Sequence, residues 1–316
     1  MLQTWLTDTF SLDVPLVGAP MAGVAGGRLA AAVSAAGALG MVGVGSTTPL
    51  EWIGGQAEQA AGTGRPFGIG LMGWALEHVP AQVDAVLAAR PRLVSVSFGA
   101  LQPWVSRLHE AGVVVATQVG DATEAVQAQD AGVDIVVARG SEGGGHGRDA
   151  VATLPLLAAV LDAVQVPVLA AGGVTSPRAF AAVLAAGATG AWVGTALLAT
   201  DEAINDPAAR DRAVAARETD TVYTRVFDVA QKIPWPAQFG GRALRNDFTE
   251  RWAGHEDELA ATDEAGVALL AARKASDFST ANVYAGQGVA AVRRRGPAAD
   301  VVRELAEGAE ALLRRW

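Results

Sequence analysis

The 316-residue chain contains no cysteine. That absence excludes disulfides, thiolate metal sites and every mechanism built on a cysteine nucleophile or acid. It agrees with a reducing compartment, and a cytoplasmic location is expected. Histidine is scarce: His78, His109, His146 and His255 are the whole set, with no HxH or HExxH spacing. No bound catalytic metal is therefore expected. Lysine and arginine number 24 against 33 acids, a net charge of -9. This acidic balance argues against nucleic acid or an anionic membrane as the partner. The opening MLQTWLTDTFSLD lacks a basic stretch followed by an apolar core, so no secretory signal is expected.

Charge is also missing from two long stretches, LAAAVSAAGALGMVGVGSTTPL (29–50) and AFAAVLAAGATGAWVGTALLAT (179–200). Each is long enough to span a bilayer. Each also breaks at glycine and changes from an alanine-rich helical pattern to a valine-rich run. The spacing reads as a helix followed by a buried parallel strand, not a membrane span.

That unit recurs. Strand-like runs lie at 14–19, 38–44, 67–71, 93–98, 113–119, 134–138, 167–171 and 190–194. Helical stretches at 28–36, 49–61, 80–90, 103–111, 122–131, 154–164 and 177–186 separate them. Thr48-Pro49, Asp121 and Ser176-Pro177 supply helix-start signals, and AG or GA pairs supply several stops. Eight wholly apolar strands alternating with helices predict an α/β fold, a closed (β/α)8 TIM barrel. An open doubly wound sheet is the competitor, but the turn after the first strand, APMAGVAGG, lacks the GxGxxG spacing. After Thr200 charges become frequent, and proline and tryptophan cluster in KIPWPAQFGGRALRNDF (232–248). The expected organisation is a barrel over 1–203, a smaller, mostly helical cap over 204–297, and a last helix, about 298–315, returning to the barrel.

Barrel chemistry gathers at the C-terminal ends of the strands, with phosphate held after the seventh and eighth. Those turns are AAGGVTSP (170–177) and WVGTALL (192–198), where Gly172, Gly173, Gly194 and Thr195 could present backbone amides to an anion. After the sixth strand comes ARGSEGGGHGR (138–148), which sets His146 behind three glycines. Read from the residues alone, His146 is a catalytic base, a hydrogen-bond donor to a cofactor, or a polar loop residue. Arg139 and Arg148 flank the turn and could attract anions; equally, Arg148 could pair with Asp149. Trp74, Trp235 and Phe239 are candidates for an apolar pocket wall, Trp235 through a lid contact.

APMAG, the turn ending in GGH, AAGG, WVGT, GRALRNDF and YAGQG (284–288), in this order along nearly the whole chain, resemble the nitronate monooxygenase family, also known as 2-nitropropane dioxygenases. The resemblance implies an FMN-containing barrel enzyme. It would set Ala19, Pro20 and Met21 against the flavin ring and Gly172, Gly173, Gly194 and Thr195 on its phosphate. Gly143, Gly144 and Gly145 would pass over the flavin, and His146 would sit near its reactive edge. Gly70 stands where many relatives have asparagine, Gln118 where many have lysine, Arg139 where glutamine is frequent, and Gly143 where alanine is. The implied reaction oxidises alkyl nitronates, or nitroalkanes, with O2 to a carbonyl compound and nitrite. In it His146 serves as base or as substrate-orienting group. The partners implied are a small-molecule substrate and O2, and family habit suggests a homodimer. Two alternatives remain: an NAD(P)H-dependent FMN reductase of the enoyl-acyl-carrier-protein reductase II type, and a flavin-binding protein without turnover.

Overall fold

Alternate residues of the apolar strands face two different cores. The computed structural model describes residues 2–315. Strands β1 (Leu16–Gly18), β2 (Gly40–Gly43), β3 (Phe67–Met72), β4 (Leu93–Ser97), β5 (Val114–Val119) and β6 (Ile135–Arg139) come first. A short β7 (Gly145–Gly147) follows, then β8 (Val168–Ala171) and β9 (Gly190–Val193). Val17, Leu39, Met41, Leu93, Ala116, Ile135, Val137, Leu169 and Trp192 point into the barrel. Leu16, Val42, Val94, Val115, Val136, Val168 and Val193 point outward under the helices. With both faces buried, period-two alternation shows only as a choice between two apolar environments.

Eight parallel strands are hydrogen-bonded in the order β1-β9-β8-β6-β5-β4-β3-β2. A parallel bridge between Val17 and Leu39 closes β1 onto β2. The chain forms the TIM barrel, with β7 outside its wall. A short helix, Trp5–Phe10, which the sequence pattern did not signal, places Leu6 and Phe10 in the interior core. The helix-start signals act locally. Asp121 accepts from Glu124 N at 2.8 Å, and Ser176 from Ala179 N at 3.3 Å ahead of Pro177. Thr48 differs: its hydroxyl accepts from Gly45 N at 2.8 Å, tightening the preceding turn instead of capping the helix Leu50–Ala61.

Beyond the barrel, helices at Pro207–Ala215, Val226–Gln231, Asp247–Trp252, Glu256–Ala260 and Glu264–Lys274 accompany a β-element. Strand β10 (Thr221–Thr224) pairs antiparallel with β11 (Gly240–Leu244), and β11 pairs antiparallel with β7. A cap read from sequence as mostly helical is thus stitched to the barrel by a three-stranded sheet. Helix Ala298–Leu313 lies against helix Pro177–Ala185 and helix Gly27–Ala35. It buries Ala298, Val302, Leu305 and Ala309, a stripe at helical spacing. Among the described residues no helix is long and apolar enough to cross a membrane.

Removing the side chain of Leu305, which is nearly fully buried in the outer core, tests that docking. Leu305→Ala should lower stability by about 2–5 kcal/mol. Thermal and urea denaturation would report it, and an unchanged midpoint would mean the helix contributes nothing to the barrel.

Candidate functional site

The glycine-rich turn after β6 is built around a buried cation. The Arg139 side chain folds back beneath it. Nη2 donates to the carbonyls of Gly143 (2.7 Å), Gly144 (3.2 Å) and Gly145 (2.8 Å), and Nη1 to that of Arg148 (3.2 Å). Burial lowers the Arg139 pKa to about 10, so the guanidinium keeps its charge at neutral pH. Four main-chain carbonyls hold the guanidinium, so Arg139 is a clamp for the turn that also lines the cavity. Arg148 binds Glu124 instead of Asp149, with Nε 2.8 Å from Oε1. Asp149 accepts from Arg242 at 2.7 Å, and Arg242 Nε donates to the carbonyl of Ser141 at 2.7 Å.

The three glycines answer to different neighbours. A Cβ on Gly143 would press against the Arg139 guanidinium at 2.9 Å. One on Gly144 would lie 2.5 Å from Gly286 N and 2.7 Å from the carbonyl carbon of Ala285. The tail segment 284–288 thus rests directly on the turn, with Gln287 N donating to the carbonyl of Glu142 at 2.9 Å. Only Gly145, at φ +71, has its missing side chain directed to open space. Two of the three glycines serve the protein's own packing.

Beyond Gly145 the chain enters β7, where His146 sits opposite Gly241 of β11. His146 Nε2 lies 2.9 Å from Asp228 Oδ2, with side-chain exposures of 11% and 3%. The imidazole stacks on Trp235, centroids 3.7 Å apart and planes within 4°. Tyr284 approaches the ring at 5.2 Å. Burial first, and the charge of Asp228 second, push the Tyr284 phenol well above its usual pKa, so it remains an O–H donor.

His146 lines a cavity of about 1100 Å³ at the C-terminal mouth of the barrel. Ala19, Pro20, Met21, Gln118, Arg139, Gly143, Gly144, Gly145, Gly172, Gly173, Gly194, Thr195 and Trp235 reach it as well. Three residues named from sequence do not. The space in front of Gly70 is filled by the ring of Pro20. Trp74 stands behind Trp235, centroids 5.2 Å apart, with its indole nitrogen buried and unpartnered. Phe239 stacks edge-on with Phe98 and lies under the Arg148 guanidinium at 5.1 Å. These two rings back the pocket wall without forming it. The other histidines lie elsewhere, with His109 bonded to Asp134 at 2.8 Å and His255 facing Glu258 at 3.5 Å.

Sequence reasoning missed Asp228, Tyr284 and Gln231, and the polar lining residues Asn205, Arg210, Arg273 and Asn282. One signal existed for Asp228. In VFDVAQ an acid occupies a helix whose neighbours Val226, Phe227 and Ala230 are all buried.

The lining suits a flat, anion-bearing group. Gly23, Gly145 and Gly173 expose wall bare of side chains, each with positive φ and nothing closer than 3.8 Å to a built Cβ. The paired turns after β8 and β9 stand beside them at the strand ends, where an anion can meet backbone amides.

A family model described as nitronate monooxygenase matches residues 3–74 and 73–308. The chain belongs to the nitronate monooxygenase family. A nitroalkane oxidase from Streptomyces ansochromogenes superimposes with a TM-score of 0.82 at 32% identity, covering 97% of this chain and 99% of that one. FabK from Thermotoga maritima superimposes with a TM-score of 0.87 at 26% identity, covering 100% and 98%. Among curated relatives, the (3aS,4S,5R,7aS)-5-hydroxy-7a-methyl-1-oxo-octahydro-1H-indene-4-carboxyl-CoA dehydrogenase of Rhodococcus jostii (strain RHA1) is 36% identical over 72% of this chain. The match spans 64% of that protein, less than two thirds of its length.

The two central glycines of the turn should respond differently to one methyl group. Gly145→Ala should cost about 1–2 kcal/mol for left-handed backbone and leave segment 284–288 protected from hydrogen exchange. Gly144→Ala should expose that segment, because its Cβ collides with main chain. Equal protection in the two variants would refute the contact.

Proposed function

We propose that this chain is an FMN-dependent nitronate monooxygenase, converting alkyl nitronates and O2 to carbonyl compound and nitrite. One observation carries the reading. A half-buried, carboxylate-bound histidine opens onto the same cavity as two glycine turns at adjacent barrel strands. Family membership and the likeness to a nitroalkane oxidase support it.

In this reading Gly172, Gly173, Gly194 and Thr195 hold the cofactor phosphate, and Ala19, Pro20, Met21 and Gln118 lie against its ring. When bound, the flavin accepts electrons from the nitronate and delivers them to O2. The chain's own groups do the rest. His146 takes the α-proton of a neutral nitroalkane or hydrogen-bonds the nitro oxygens of a nitronate. Trp235 covers one face of the imidazole and keeps water from it. Arg139 fixes the turn and adds positive potential beneath a site for an anion. The segment 204–297 acts as a cap that brings Asp228, Trp235 and Tyr284 over the barrel mouth.

A second reading is an NAD(P)H-dependent flavin reductase acting on a thioester. It is favoured by Arg210 and Arg273 in the cavity lining, and by the relative named for a carboxyl-CoA substrate.

Anaerobic mixing of the purified flavoprotein separates the two. An alkyl nitronate should bleach the flavin band, while NADH and NADPH should leave it unchanged. Bleaching by NAD(P)H alone would replace the first reading with the second. His146→Gln should slow neutral nitroalkane by about 10²–10⁴-fold and preformed nitronate much less. Equal losses would exclude proton abstraction as its role.

A further inference from the structure

The ring nitrogen that a histidine offers to a substrate is decided by the partner of the other nitrogen. Among the described residues His146 has one polar side-chain partner, Asp228, through Nε2. Its Nδ1 has no hydrogen bond and is not fully buried, on a side chain that lines the cavity. Asp228 is 3% exposed, and among the described residues no lysine or arginine pairs with it. Its neighbours are the imidazole and the Tyr284 hydroxyl. A carboxylate only accepts, so the imidazole Nε2 must donate to it.

The same contact fixes the rotamer. Turning the imidazole by 180° about its Cβ–Cγ axis would exchange Nε2 for Cε1 and set a buried carboxylate against carbon. Trp235 at 3.7 Å and the side-chain-free Gly241, whose built Cβ lies 3.5 Å from Cε1, hold the ring plane.

We propose that Asp228 is a positioning residue that holds His146 as its Nε2–H tautomer, so that Nδ1 is the nitrogen presented to the substrate. This rests on the functional reading above for what the substrate is, but not for the tautomer. A bare nitrogen is the form that can take a proton from carbon. In the protonated ring Nδ1–H becomes a donor aimed at the same place. Asp228 does not touch the reacting atoms.

The test is long-range ¹H–¹⁵N NMR of the imidazole nitrogens in the full-length protein. The His146 signals are those lost in His146→Gln. At a pH where the ring is neutral, His146 should show a protonated Nε2 and an unprotonated Nδ1. In Asp228→Asn an amide stands where the carboxylate was, and its NH2 donates to Nε2, which the wild-type side chain cannot do. The tautomer should switch, and kcat on neutral nitroalkane should fall by about 10²–10⁴-fold, with preformed nitronate affected much less. Asp228→Glu, which keeps an acceptor, should retain the wild-type pattern and recover part of the rate. A wild-type ring protonated on Nδ1, or a tautomer unchanged in Asp228→Asn, overturns the proposal. If Asp228→Asn does not fold, the wild-type spectrum decides alone. A tautomer that responds as expected in a protein that oxidises no nitronate would sustain the positioning role and sink the functional reading.

Discussion

The site depends on one buried guanidinium. Arg139 ends a barrel strand beside the cavity mouth. It turns back and gathers four carbonyls of the following loop. Burying a charge is costly unless its hydrogen bonds are made, and here the acceptors are main-chain oxygens that would otherwise be orphaned inside the turn. Each need satisfies the other. The result is a loop shaped tightly enough that β7 leaves it at a fixed place, pairs with β11 and carries His146 to the cavity.

From that pairing follows the division of labour. The barrel contributes backbone surface: glycine turns after β8 and β9, and a wall at Ala19–Met21. The cap contributes the polar side chains, with Asp228 on the helix 226–231, Trp235 in the proline-flanked loop and Tyr284 on the tail segment. His146 belongs to the barrel loop but is oriented entirely by the cap. Neither part holds a complete site. Strand pairing through β7 and the close approach of Ala285–Gly286 to Gly144 keep the halves in register.

The sequence made the barrel legible because parallel strands buried on both faces leave continuous apolar runs, and the glycine stops between them are chemically distinct. Every one of the eight runs became a barrel strand. The β7–β11 pairing was not legible: GHG and GGRAL carry no alternation, since their partners are set by the turn and by the cap. The same reason hid Asp228. An acid in VFDVAQ becomes meaningful only when the fold brings it within 2.9 Å of a histidine 82 residues earlier in the chain. Trp74 and Phe239 misled in the opposite direction. Aromatic side chains near a pocket are as useful behind the wall as in it, and composition cannot tell the two layers apart.

The departures from the resemblance also acquire a physical sense. At position 70 glycine is required by Pro20, whose ring occupies the space a side chain would need. An asparagine there would collide, so the two positions form one unit, with an apolar ring in place of an amide. Gln118 reaches the cavity from β5 as a neutral side chain where a lysine would have brought a charge. This barrel wall therefore offers an anion little beyond backbone amides. On the proposed reading, substrate charge is met by His146 of the barrel loop, with its carboxylate partner on the cap. On the proposed reading, changes in the cap alter the substrate accepted while the barrel turns go on holding the cofactor.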